Sequence, residues 1–218
     1  MPQIKANGIN LEYDTFGSDS DRPLLLVMGL GAQMIHWDED FCDMLADAGH
    51  FVIRYDNRVR SMTSIMASTG NPNLPPASPD AQSALTSTSE ENEAAVVQRA
   101  IEMNAVIGSP GFEFDIERAT RKAIAAFNRS FYPAGIARQM AAVAAHGDRR
   151  ERLNQLSVPT LVIHGTDDCL VPVEGGIDTH ENIKDSELML IEGMGHDLPL
   201  GAWKRIVEAV SRLTLSQA

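Results

Sequence analysis

Apolar residues along the chain follow two rhythms, and their order lays out the elements. Residues 3–13 alternate around Asn7-Gly8, with Ile4 and Ala6 before the pair and Ile9, Leu11 and Tyr13 after it. That pattern predicts a two-stranded hairpin with a tight turn. Leu24-Leu25-Leu26-Val27-Met28 is an unbroken apolar run ended by Gly29-Leu30-Gly31, which suits a parallel strand buried on both faces. Trp37, Phe41, Met44, Leu45 and Ala48 then recur on one face of a helix, and Gly49 closes it. Phe51-Val52-Ile53-Arg54-Tyr55 is a second buried-type strand, so residues 24–55 form a strand–helix–strand unit. Such units imply a parallel sheet. Met62-Thr63-Ser64-Ile65-Met66 reads as a further strand, reached after only Asp56 to Ser61.

Residues 70–90 are rich in Pro, Ser, Thr and Asn and predict a loop. From about 91 to 150 the pattern is helical, with a stripe of Ile116, Ala119, Ala123, Ile124, Phe127 and Phe131 broken by Pro133. This block contains no strand pattern and reads as an insertion between sheet elements. Met103, Phe127 and Phe131 are expected to form its own core. After Val158-Pro159 the alternation of strand and helix resumes: Thr160 to His164 and Glu187 to Ile191 are strands, and Trp203, Ile206, Val207, Val210 and Leu213 mark a closing amphipathic helix.

Two polar loops at strand C-terminal ends carry the candidate chemistry. One is His164-Gly165-Thr166-Asp167-Asp168-Cys169-Leu170-Val171-Pro172, the other Gly193-Met194-Gly195-His196-Asp197-Leu198-Pro199. In open α/β sheets this is the edge where sites form. An Asp after a strand is commonly a turn former, and a His in a Gly-rich loop is commonly solvated. The two in order, each after a successive strand, match the tail of a Ser…Asp…His triad. There a carboxylate on one ring nitrogen fixes the tautomer, and the other nitrogen takes the nucleophile's proton. His164 is expected to be structural, His36, His50, His146 and His180 to lie on the surface, and Cys169 to pack rather than attack.

Composition narrows the classes. Eighteen Lys and Arg against 30 Asp and Glu give a net charge of -12, which argues against nucleic acid as a partner. No apolar run is long enough to span a bilayer. MPQIKANGINLEY shows no basic-then-apolar leader pattern. Cys42 and Cys169 make neither a disulfide framework nor a metal cluster. The expectation is a cytoplasmic protein with no cofactor and no metal.

The stretches LLLVMGLGAQ (24–33), FVIRYDNR (51–58), FYPAGIARQMAA (131–142), VPTLVIHGTDDCLVPVEGG (158–176) and IEGMGHDLP (191–199) resemble the α/β-hydrolase fold superfamily. The resemblance is closest to its aclacinomycin methylesterase / proline iminopeptidase-like branch. It implies an α/β fold with a mostly parallel sheet and a helical cap. The implied division is an N-terminal part of the core at 1–70, the cap at 71–150 and a C-terminal part of the core at 151–218. It also implies Asp168 rather than Asp167 as the acid, His196 as the base, and the Leu30 N–H as one half of an oxyanion hole. The implied substrates are small-molecule esters or N-terminal peptide bonds.

The same resemblance exposes a gap. The fold places its nucleophile on a G-x-S-x-G strand-to-helix turn, and the chain contains no such motif. Arg58 runs directly into Val59 where the family has a helix, the nucleophile strand and a second helix, a shortfall of roughly 45–65 residues by ordinary element lengths. Ser61, Ser68 and Thr69 precede no elbow and read as strand-end and loop residues. The family topology also asks the chain to return along a strand of ~17–20 Å and to cross about three spacings of ~4.8 Å. Asn57 to Arg60 reach only about 10–14 Å. Three outcomes stay open. The 62–66 segment folds back antiparallel or leaves its place; two chains exchange halves at 56–61 as a domain-swapped homodimer; or the molecule has residues that this sequence lacks. The expected function is that of a serine ester or amide hydrolase lineage impaired by the absent serine. The alternative is a non-catalytic, domain-swapped protein that binds an apolar ligand.

Overall fold

The computed structural model describes residues 2–6, 9–27, 34–54, 61–87 and 91–215. The alternating N-terminal segment forms β1 (Gln3–Ala6) and β2 (Ile9–Glu12), paired antiparallel with Gln3 opposite Glu12 and Ala6 opposite Ile9. This register leaves two residues for the turn, and Asn7-Gly8 lies outside the described residues. A two-residue strand that the sequence pattern does not signal, β3 (Thr15–Phe16), comes next. Then β4 (Arg22–Leu25), a 3-10 turn at Met34–His36, α1 (Glu39–Asp47) and β5 (His50–Ile53) make up the expected strand–helix–strand unit. β4 runs parallel to β5 and β3 adds antiparallel on the other side, giving the order β3-β5-β4.

β6 (Met62–Ile65) leads into the helical block. Its first helix, α2 (Pro79–Thr86), lies where composition predicts a loop. The reason is local: Ser78 Oγ accepts the Ala81 N–H at 3.2 Å, and Pro79 takes the first helical turn, where its missing N–H costs nothing. α3 (Glu93–Ile107) and α4 (Ile116–Arg129) are capped in the same way by Asn92 and Asp115. Phe127 and Phe131 meet edge to face at 5.5 Å between centroids, although Ala123 is the one buried residue of α4. α5 (Pro133–His146) turns none of its residues into a core. α6 (Arg150–Leu153) ends the block.

The sheet then resumes with β7 (Thr160–Gly165), α7 (Val173–Glu181), β8 (Glu187–Ile191) and α8 (Leu200–Leu215). β6, β7 and β8 pair in parallel in that order, with Ile65 beside Ile163 and Gly165 beside Ile191. β6 therefore runs in the same direction as β7 and β8. The junction Arg58-Val59 lies outside the described residues.

Among the described residues the parallel strands form two sheets rather than one, with β4 at one edge of the first and β6 at one edge of the second. Burial follows. All six residues of β7, the middle strand, are buried, whereas all four of β6 are only half-buried. A parallel strand covered on both faces needs a neighbour on each side and helices above and below, and β6 has a paired neighbour on one side. One apolar core nevertheless serves both sheets. Leu24 and Val52 of the first and Leu161, Ile163 and Ile191 of the second share it with Phe41 and Leu45 of α1 and Trp203, Ile206 and Val210 of α8. Trp37 stacks on Phe41 at 5.7 Å between centroids, and Phe41 meets Trp203 edge to face at 5.3 Å. No described helix is long and apolar enough to cross a membrane.

Candidate active site

Asp168 and His196 are brought together by two adjacent parallel strands that end side by side. β7 and β8 leave the sheet at Gly165 and Ile191, which are register partners. Their loops are then stitched together: Thr166 N–H donates to Ile191 O at 3.1 Å and Asp167 N–H to Met194 O at 3.0 Å. A side chain on Gly165 would collide with the Met194 carbonyl, so glycine is required where the loops cross. Asp167 is spent on this stitching, since its Oδ2 accepts the Gly193 N–H at 3.0 Å.

Asp168 is the carboxylate that turns inward. Its side chain is fully buried, and Oδ2 lies 2.7 Å from His196 Nδ1. Oδ1 accepts the Leu170 and Val171 N–H groups at 3.0 and 2.8 Å. Burial pushes its pKa up, but hydrogen bonding from His164 and His196, the His196 charge and the Val171 N–H outweigh burial and hold the carboxyl down at about 2. An ionised Asp168 accepts an N–H from His196 Nδ1, and in the neutral ring this leaves Nε2 as the proton acceptor. The ring is 25% exposed, so one end is held dry while the ring still reaches solvent.

His164 is structural, as its position at the start of the turn suggests. It is fully buried. Its Nε2 lies 2.7 Å from Val171 O and 3.5 Å from Asp168 Oδ2, so the carbonyl takes the proton and the carboxylate feels it at longer range. A side chain on Gly176 would reach to 2.5 Å from His164 Nδ1.

Other expectations meet different outcomes. His50 is buried rather than on the surface, with Nε2 3.2 Å from Ser211 Oγ, and His36 is half-buried against Lys122, whose Nζ donates to its carbonyl at 3.0 Å. Both are enclosed by elements distant in sequence, which local pattern does not register. Cys169 donates to Val106 O at 3.3 Å and so packs against α3. Thr69 is buried and bonded to Asp178, and Ser68 Oγ accepts the Gly70 N–H at 3.3 Å. These hydroxyls serve the loop between β6 and the helical block. Leu30 lies outside the described residues.

One residue at the site escapes the sequence reading. Ser109, in the Gly-Ser-Pro-Gly turn after α3, bonds both Gly195 and Asp197, the neighbours of His196. The only local signal is the turn composition itself. Two grooves lie away from the Asp168–His196 pair: one of about 440 Å³ is lined by Asp148, Arg150, Glu151, Asn154 and Asn182. Another of about 310 Å³ lies between α2 and α3, beside Asp80, Arg99, Glu102 and Met103. Among the described residues no cluster of His, Cys, Asp and Glu is arranged to hold a metal ion.

No protein-family model matches the chain. A 55-residue stretch is 42% identical to rhodomycin D methylesterase DauP of Streptomyces sp. (strain C5) and covers 25% of this chain and 18% of that protein. The likeness to rhodomycin D methylesterase DnrP of Streptomyces peucetius is 40% over the same length and shares. The match thus spans under a fifth of either curated relative. Solved structures align far more widely. An esterase from Exiguobacterium antarcticum is 15% identical with a TM-score of 0.73, covering 98% of each chain. A meta-cleavage product hydrolase from Pseudomonas fluorescens IP01 is 14% identical with a TM-score of 0.72, covering 100% of this chain and 98% of its own. A bromoperoxidase from Bacillus anthracis is 21% identical with a TM-score of 0.66, covering 99% of each. The shared architecture runs through nearly the whole chain in every case, and the chain therefore has the α/β-hydrolase fold.

Proposed function

We propose that this chain descends from serine hydrolases that cleave small-molecule esters, with Asp168 as acid and His196 as base, and that its own turnover is impaired. The observation that carries the lineage is the buried Asp168 carboxylate, held by two loop N–H groups with its other oxygen 2.7 Å from His196 Nδ1. This is the arrangement that lets an imidazole take a proton from a nucleophile. The partial likeness to two methylesterases supports esters over N-terminal amides as the substrate class. The Leu30 N–H would supply one oxyanion donor. The helical block between β6 and β7 would serve as the cap at residues 71–150, between core parts at 1–70 and 151–218.

Impairment follows from the sequence, which has no G-x-S-x-G. In a full enzyme the serine attacks the ester carbonyl, the alcohol leaves with the proton carried by His196, and water then cleaves the acyl-enzyme. Without the serine the dyad orients at most a water molecule, and losing such a nucleophile costs on the order of 10⁶ in kcat. Hydrolysis of p-nitrophenyl acetate, compared with His196→Ala, tests the reading. Turnover no faster than that of the alanine variant is expected. Robust turnover that His196→Ala abolishes would overturn the impairment. A fluorophosphonate probe identifies any serine recruited in place of the missing one. An intact mass near 23.7 kDa establishes that Arg58 is joined to Val59.

A second reading, a non-catalytic domain-swapped dimer that binds an apolar ligand, draws on the short reach of residues 57–60. Size-exclusion chromatography with light scattering decides it, a monomer removing the swap.

A further inference from the structure

The His196 loop is held by the helical block, not only by its own strand. α3 ends at Ile107, and a helix leaves its last carbonyls without partners inside the helix. Here the two site loops fill them: the Cys169 thiol donates to Val106 O at 3.3 Å and the His196 N–H to Ile107 O at 2.7 Å. The turn that follows tightens the grip. Ser109 Oγ accepts the Gly195 N–H at 2.9 Å and donates to the Asp197 carboxylate, so one hydroxyl bonds both neighbours of His196. Gly111 N–H donates to Gly193 O at 2.9 Å. The two backbones touch, since a side chain on Gly111 would come within 2.6 Å of Gly193 Cα and one on Gly195 would strike the Gly108 carbonyl. Residues 193, 195, 196 and 197 are therefore all fastened to residues 107–111.

We propose that Ser109 is a positioning residue for His196, and that the helical block presents the imidazole to Asp168 only while its α3 turn is seated on the loop. This rests on the reading of His196 as the base. Ser109 touches no reacting group. It acts by fixing the backbone on both sides of the histidine, and Ile107 O fixes the histidine itself. Lifting the block would break these bonds together and free the ring from Asp168. The block is also tied on another side, where Arg118 and Lys122 of α4 reach Asp38 ahead of α1, so seating and release involve α3 and α4 as one unit.

Carbethoxylation by diethyl pyrocarbonate, read peptide by peptide by mass spectrometry on the full-length protein, reports release of the ring. Hydrogen exchange reports release of the backbone. Ser109→Ala is expected to speed labelling of His196 and exchange at residues 195–197 by about fivefold, the population change that one ordinary hydrogen bond controls. His164 labelling and β7 exchange stay unchanged. Ser109→Thr, which keeps the hydroxyl, returns both rates to those of the parent. Unchanged rates in Ser109→Ala would overturn the proposal. So would equal acceleration at His164 and β7, which would make Ser109 a support of the whole fold, or a threonine variant that behaves as alanine. Neither readout needs turnover, so the test stands whether or not the chain hydrolyses an ester.

Discussion

His196 Nδ1 lies 2.7 Å from Asp168 Oδ2, and the carboxylate is buried while the ring is a quarter exposed. Each residue ends up there because β7 and β8 are neighbours in register. The Asp168 carboxylate accepts at least three hydrogen bonds, two from its own loop and one from His196. Replacing one oxygen by an amide sets a donor against a donor in a closed space. Asp168→Asn should cost about 1–3 kcal/mol of stability, read as a lower urea midpoint with an unchanged slope.

Acid should weaken the protein in two separate windows. Burial, then the nearby Lys122 charge, holds His36 down at about 4 against the pull of Asp38, and burial followed by Arg22 lowers His50. The unfolded chain binds protons at these histidines from about pH 6.5, before the folded chain does. Their contribution is full above that pH and falls as pH drops below it, for His36 until about 4. Asp168, held at about 2, contributes above its unfolded value of about 3.9 and loses that contribution only as pH falls through 2. Urea unfolding at pH 7.5, 5.5 and 4.5 measures the first window, and His36→Gln should flatten it.

α8 joins the two sheets through one core, so a cavity there should be felt in both. Ile206 is fully buried, and Ile206→Ala should cost about 2–5 kcal/mol. Hydrogen exchange should accelerate at β5 and at β7 alike. Acceleration at β7 alone would mean that the sheets unfold independently.

The two cysteines should differ sharply toward alkylation. Burial pushes the Cys42 thiol up to about 12, with Arg54 opposing, and its accessibility is nil. Thiolate is the reactive form. Iodoacetamide at pH 8 should label the part-exposed Cys169 and leave Cys42 untouched until the chain is unfolded, as peptide mass mapping would read.

Much of this was legible in the order of residues. The apolar run of β7, the alternation of β1 and β2, the faces of α1 and α8, and Asp then His after successive strands are all properties of neighbours along the chain. Side-chain period and turn chemistry act over a few residues, so local sequence carries them. α2 is the instructive miss. The Pro, Ser, Thr and Asn of 70–90 read as loop, yet Ser78 and Pro79 are also a helix start, and composition over a window hides a cap that depends on one position.

The order of residues alone was thus enough for most elements, for their α/β succession, for the candidate pair Asp168 and His196, and for noting that no G-x-S-x-G motif occurs. It took the folded chain to show that among the described residues the parallel strands stand as two sheets around one core, with β6 half-buried at an edge. Folding also buried His50 and half-buried His36, set Asp167 to stitching and Asp168 to His196, and brought Ser109 from across the chain to brace the histidine loop. These depend on which distant segments share a space. Burial, desolvation and hydrogen bonding between strangers in sequence are properties of that shared space, and no local pattern of polar and apolar residues encodes them.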